Sequence, residues 1–223
     1  MKKIILPLAL FLLVLVIFLP RFFIKIRIDC KTQFGACPPA ISDRLTPLNG
    51  KTMFFAEREI KKNLKSNFLV SGFTIQFKLP NILRVDLIIK KPVFALKNKS
   101  SETFALVDKD GYVLNVSGET SLPRVITGGS LPKEGERVND KDFFALQLTD
   151  GVYKMYQIGS STIEGDTLLV DLTGPIRVIF PLVGADREIL LGSLRLIYSN
   201  IQSGENKTLY SQIDLRYRNP VLR

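Results

Sequence analysis

Any chemistry in this 223-residue chain has to be built without imidazole, because the sequence contains no histidine. That removes Ser-His-Asp and Cys-His activation of a nucleophile, and every histidine-ligated metal site. A serine activated by a lysine remains, as does a pair of carboxylates. Ser160-Ser161-Thr162-Ile163-Glu164-Gly165-Asp166 is the stretch to weigh for the first. A Ser-Lys pair needs a lysine buried beside the serine, with its pKa lowered by desolvation. Lysines are common here, but none stands in an obviously apolar strand. Ser160 and Ser161 are therefore expected in a loop, and the carboxylates Glu164, Asp166 and Asp171 in loops or on a strand surface. The remaining reactive pair is Cys30 and Cys37. In an oxidising compartment a pair this close closes one small loop, worth roughly 2–3 kcal/mol. The alternative, metal binding, would lack partners, since zinc wants four ligands.

The elements that would carry these residues begin with Ile4–Pro20, an apolar run without a charge. A hydrocarbon core of about 30 Å needs about 20 such residues, which Phe22, Phe23 and Ile24 help to supply. Met1-Lys2-Lys3 also suits the basic start of a cleaved signal, but Val16–Arg21 offers no small-residue cleavage site. The sequence thus predicts an uncleaved single-pass anchor in the cell membrane, with a cytoplasmic N-terminus and an extracytoplasmic body. The body, at 46% hydrophobic and 23% charged residues over the chain, suits one large or two small domains. The net charge of +10 is spread along the chain. It fits a lysine-rich surface, or one near anionic lipid or wall polymer, better than a nucleic-acid site.

Ile24, Ile26 and Ile28 alternate with Lys25, Arg27 and Asp29, which predicts a strand over 22–30. A weak helical turn falls at Ala40–Leu45. Asn49-Gly50 turns the chain, and Thr52 is placed to cap a helix over 53–65 with Ile60 and Leu64 inward. Strands follow at Gly72–Pro80 and Leu83–Ile89, closed by Pro92. Short strands are expected at Phe94–Lys97, Phe104–Val107, Tyr112–Val116 and Leu122–Ile126. Asn139 or Asp140 caps a helix from about Asp142, whose continuation Gly151 weakens. Leu168–Leu172 and Ile176–Phe180 flank the turn Thr173-Gly174-Pro175. Asp186 caps an amphipathic helix carrying Leu190, Leu194, Ile197 and Ile201. The last element is a strand over Leu209–Tyr217.

This layout resembles the bacterial cell-division family FtsQ/DivIB. The likeness rests on Leu48-Asn49-Gly50-Lys51-Thr52-Met53-Phe54, Leu79-Pro80-Asn81-Ile82-Leu83-Arg84-Val85-Asp86-Leu87, and Lys90-Lys91-Pro92-Val93-Phe94-Ala95. It continues in Phe104–Leu114, Leu122-Pro123-Arg124-Val125, Arg187–Gly192 and Ile213-Asp214-Leu215-Arg216-Tyr217. The resemblance implies an α+β fold. One transmembrane helix would lead into a POTRA-like strand-helix-strand-strand domain and then a β-rich domain with packed helices. The corresponding spans are 1–3 cytoplasmic, 4–24 anchor, 25–95 POTRA-like and 96–223 the FtsQ-type β domain. It further implies a non-enzymatic bitopic scaffold of the divisome that helps position septal peptidoglycan synthesis, with no cofactor, no nucleic acid and no small-molecule substrate. Its partners would be FtsB-like and FtsL-like single-span proteins, other divisome components and the membrane. By strand addition, the partner would meet Leu209, Tyr210, Ser211, Gln212, Ile213, Asp214, Leu215, Arg216 and Tyr217. Arg216 would supply a charge pair and Tyr217 an aromatic anchor. The Cys30–Cys37 loop departs from the family pattern. A rival from another class is a membrane-tethered Ser-Lys peptidase similar to signal peptidases, whose serine segment Ser160–Val170 faintly resembles.

Overall fold

The computed structural model describes residues 23–203 and 210–223. They form a mixed α/β structure, mostly sheet, with four α-helices. The expected α+β fold with a transmembrane helix is corrected on this point. Among the described residues no helix is long and apolar enough to cross a membrane. The single-pass cell-membrane localisation loses its structural support for the same reason. The apolar run Ile4–Pro20, on which that expectation rested, lies outside the described residues.

The chain divides between Lys90 and Lys91 into two units. The first contains β1 (Arg27–Thr32), β2 (Gly35–Ala36), α1 (Pro39–Leu45), α2 (Met53–Lys65), β3 (Val70–Lys78) and β4 (Ile82–Ile89), with a 3₁₀ turn at Thr46–Leu48. The sheet order is β2-β1-β4-β3, with β1 parallel to β4 and the other pairs antiparallel. Period-2 alternation puts Leu83, Val85 and Leu87 of β4 on the helix side, where they bury with Ile60 and Leu64 of α2 and Ile41 and Leu45 of α1. Thr52 has the extended backbone of a helix cap, but its side chain makes no capping bond. Instead the amide of Met53 donates to the carbonyl of Ile24 at 3.0 Å.

The β1 side of this sheet is sealed by the segments the sequence marked as turns. Cys30 and Cys37 are bonded across the β1–β2 hairpin, their Cα atoms 5.5 Å apart. The Gln33 side chain in that hairpin bonds to the backbone of Ile89 twice, donating to its carbonyl at 2.7 Å and accepting from its amide at 2.9 Å. Asn49 Oδ1 accepts from the amide of Ile28 at 2.7 Å, and Gly50, in the left-handed region at φ 77°, donates to the carbonyl of Ile26.

The second unit contains β5 (Phe94–Asn98), β6 (Phe104–Val107), β7 (Val113–Ser117), β8 (Arg124–Thr127), α3 (Asp140–Tyr156), β9 (Ser160–Glu164), β10 (Thr167–Asp171), β11 (Arg177–Pro181), α4 (Arg187–Ser203), β12 (Gln212–Asp214) and β13 (Val221–Leu222). One nine-stranded sheet has the order β13-β12-β11-β10-β9-β8-β5-β6-β7. Phe94, which the sequence placed in the first domain, opens this second sheet. Helices α3 and α4 bury Ala145, Leu146, Leu148, Val152, Leu190, Leu194 and Ile201 with the sheet residues Val125, Leu168, Val178, Phe180 and Ile213.

Asn139 caps α3, its Oδ1 accepting from the amide of Asp142 at 2.8 Å while its Nδ2 donates to Asp142 Oδ2 at 2.9 Å. Asp186 caps α4 by accepting from the amides of Glu188 and Ile189. Gly151 does not end α3. A Cβ there would lie 2.3 Å from Leu191 Cδ1, so glycine is what lets α4 approach.

Candidate functional site

The nine-residue strand expected over Leu209–Tyr217 is corrected to a short strand and a turn. Leu209 lies outside the described residues. Ser211 accepts through its carbonyl from Arg177 at 2.8 Å, and Leu215 donates to Ile179 at 2.9 Å, so pairing with β11 runs from Ser211 to Leu215. The chain then reverses through Arg216–Pro220 and returns as β13, antiparallel to β12, with Ile213 opposite Leu222 and Asp214 opposite Val221. β12 therefore has a neighbour on both sides and is not the sheet edge. The edge is β13. The signal for this reversal was Asn219-Pro220, a turn dipeptide whose proline cannot continue a ladder.

The nine expected binding residues separate by role. Ile213 and Leu215 are buried in the core, and Tyr210 packs half-buried against it. Ser211 and Gln212 hold the return strand, both amides donating to the carbonyl of Arg223 at 2.6 and 2.9 Å. Gln212 accepts from the amide of Arg223 at 3.0 Å. Those reciprocal bonds make Gln212 and Arg223 the bonded pair. By antiparallel alternation Leu222 therefore turns its own N–H and C=O away from β12.

Asp214 is fully buried, although it lies on the face opposite Ile213. Its Oδ1 accepts from Nε of Arg216 at 2.9 Å and its Oδ2 from Nη2 at 2.6 Å, with the Arg216 amide adding a third bond at 3.1 Å. These charge-assisted bonds hold the Asp214 carboxyl below the ordinary carboxylate range, against the opposing pull of desolvation. They hold the Arg216 guanidinium above its own ordinary value. Arg216 is thus pinned to its own strand, with the rest of the guanidinium open to solvent. It lies 5.8 Å from the centre of the Tyr217 ring. Tyr217 is 53% exposed, so it belongs neither to the core nor to the ladder. Arg216 and Tyr217 stand together on a turn fixed by a buried aspartate, which leads into the edge strand that carries the exposed Leu222.

The serine stretch has a different setting. Ser160 and Ser161 are on β9, between β8 and β10, and not in the expected loop. Tertiary pairing overrides the weak strand preference of Ser-Ser. Ser161 is 3% exposed and lies 2.6 Å from Thr149 Oγ1. Thr149 spends its proton on the carbonyl of Ala145 at 2.8 Å, so the Ser161 hydroxyl donates to Thr149. The depression beside Ser160 and Ser161 is lined by Ile158, Thr162, Glu164, Leu169, Asp171 and Arg177. Its cation is Arg177, bound to Asp171 at 2.7 Å with its pKa raised by that bond. An arginine so held cannot serve as a base. Glu164 is exposed, and Asp166 is bridged to Lys141 at 2.8 Å.

Compared with family models and with curated proteins, the chain gives no match to either.

Proposed function

We propose that the chain is a non-enzymatic protein-binding scaffold of the FtsQ/DivIB kind. In this reading it takes up FtsB-like and FtsL-like division proteins at the β13 end of its nine-stranded sheet. The observation that carries the reading is the Asp214–Arg216–Tyr217 arrangement. A half-exposed aromatic stands beside a partly satisfied cation that a buried carboxylate holds in place, next to the edge strand of a sheet. A preordered arginine suits an interface, because little freedom is left to lose on binding, and an exposed aromatic beside it is the residue type that anchors one. Leu222 supplies the backbone groups to which a partner strand pairs, as sheet edges do. Because β13 is two residues long and follows Pro220, that backbone contribution is small. Tyr217 and Arg216 then provide most of the affinity and the charge preference.

The test is binding of the full chain to purified FtsB-like and FtsL-like proteins from the same genome. Tyr217→Ala should weaken binding roughly thirtyfold, the equivalent of about 2 kcal/mol for a buried anchor. Arg216→Glu should weaken it too, and a partner with the facing acid reversed should recover part of the loss. If both variants bind as the parent does, the site is elsewhere, and the edge strand β3 is the next surface to probe.

A further inference from the structure

We propose that the outward face of α4 pairs with the same face of a second copy of this chain, the two helices running antiparallel about a two-fold axis at Gly192. Inward, α4 buries Leu190, Leu194 and Ile201. The opposite face carries Ile189 and Leu196, each 68% exposed, together with the exposed Gly192 and Ser199. Ile189 and Leu196 repeat at seven residues, as do Gly192 and Ser199, which is the spacing of a helix-pairing seam. No charge falls among them, in a chain of net charge +10. Ser199 folds its hydroxyl back onto the carbonyl of Leu196 at 2.9 Å, which leaves the seam less polar than its sequence suggests. Gly192 has no reason inside the unit. A Cβ there would meet nothing within 4 Å, whereas one at Gly151 would strike Leu191. Glycine weakens a helix interior, so its place here points to a close approach from outside.

The occupant follows from charge. Glu188 and Arg195 stand seven residues apart, within about 20° of each other on one flank of the seam. Glu188 is bonded to its neighbour Arg187 in a solvent-exposed pair, which is weak, and Arg195 has no ion-pair partner among the described residues. A two-fold axis between antiparallel helices keeps each flank on its own side and reverses the direction along it. Glu188 of each copy then meets Arg195 of the other, twice. Ile189 lies beside Leu196 of the other copy, on either side of the glycine crossing. A parallel pair would instead turn each charged flank toward Ser193 and Asn200, with no charge to meet. The face therefore complements itself in one direction only. This inference does not rest on the strand-addition reading.

The experiment is sedimentation equilibrium of the full chain over a range of concentrations, which should show a reversible dimer. Ile189→Lys with Leu196→Lys should weaken it about tenfold or more. Glu188→Arg alone and Arg195→Glu alone should each weaken it about fivefold. An equal mixture of those two variants should recover the dimer, because each heterodimer again pairs opposite charges. Thermal unfolding checks that each variant keeps its fold. Disulfide trapping decides independently. The two native cysteines are bonded to each other, so Gly192→Cys adds a single free thiol, at a position with room for it. It should give a cross-linked dimer on mild oxidation. Ser199→Cys should not, since the two copies of that position would lie about 21 Å apart. Four outcomes overturn the proposal. The chain stays monomeric at every concentration, or it forms a dimer that the lysine variant leaves unchanged. The mixed charge variants fail to recover the dimer, or cysteines at 192 and 199 cross-link equally.

Discussion

The two units close one end of their sheets by different means. In the first, a disulfide-bonded hairpin and the Asn49–Lys51 turn cover the β1 side, while β3, nine residues long, runs along the other side. In the second, the chain doubles back on itself, and a two-residue strand covers β12. The first solution is covalent and leaves a long backbone edge elsewhere. The second is held by backbone bonds to Arg223 and a turn pinned by one buried carboxylate, and it leaves few backbone groups but well-placed side chains. A recognition site can be made from either, and they differ in what supplies the affinity. At β3 the ladder would supply it. At β13 the turn residues would.

Substitutions should therefore act on one unit and spare the other, which segment-resolved hydrogen exchange can read. The largest effect is expected for Gly151→Leu. Overfilling the contact with Leu191 should cost the second unit about 3 kcal/mol, the upper part of the range for overpacking. Next, Cys30→Ser with Cys37→Ser should destabilise the first unit by about 2.5 kcal/mol, as expected for a short closed loop. Protection at Ile213 should not change. Loss of protection in both units would show that the two closures are not independent.

Asp214→Ala should cost the second unit about 2 kcal/mol through the lost hydrogen bonds of a buried acceptor. Its pH signature is specific. The folded pKa of Asp214 lies below its unfolded value of about 3.9, so the stabilisation is fully present above that value and is lost as pH falls through the lower folded value. In acid titrations of stability the parent should lose this contribution, and Asp214→Ala should lack that part of the transition. Smallest of all, Tyr217→Ala should change stability by less than about 0.5 kcal/mol, because the ring is half in solvent. A larger loss would mean that Tyr217 supports the turn, and the comparison between the two closures would need to be redrawn.

Helices were the most legible elements in the sequence. The span 53–65 is what the structure holds, and Asp186 does cap α4, because inward stripes and caps are local signals. Gly151 was misread because propensity says nothing about a neighbouring helix passing close by. β9 was missed because Ser160-Ser161-Thr162 looks polar and its parallel partner β8 lies on the far side of α3, although its other partner β10 follows after a two-residue turn. At the candidate site, the expected strand over Leu209–Tyr217 covers the real one at Gln212–Asp214. It then ran on through Arg216 and Tyr217, where Asp214 folds the backbone over by accepting from the Arg216 amide. That turn depends on the aspartate being buried, which periodicity does not reveal. The membrane expectation rested on an apolar run outside the described residues, and no described helix supports it.

The Gln33 amide behaves as one rung of a strand that is not there. It gives and takes a hydrogen bond at Ile89, next to the Lys90–Lys91 boundary between the units. A side chain from the disulfide loop thus fastens the exit of the first unit. Opening that loop would loosen the hold on Gln33 and leave the chain that exits β4 to its backbone bond from Lys90 to Leu69. The redox state of two cysteines would then be felt where one unit hands the chain to the next.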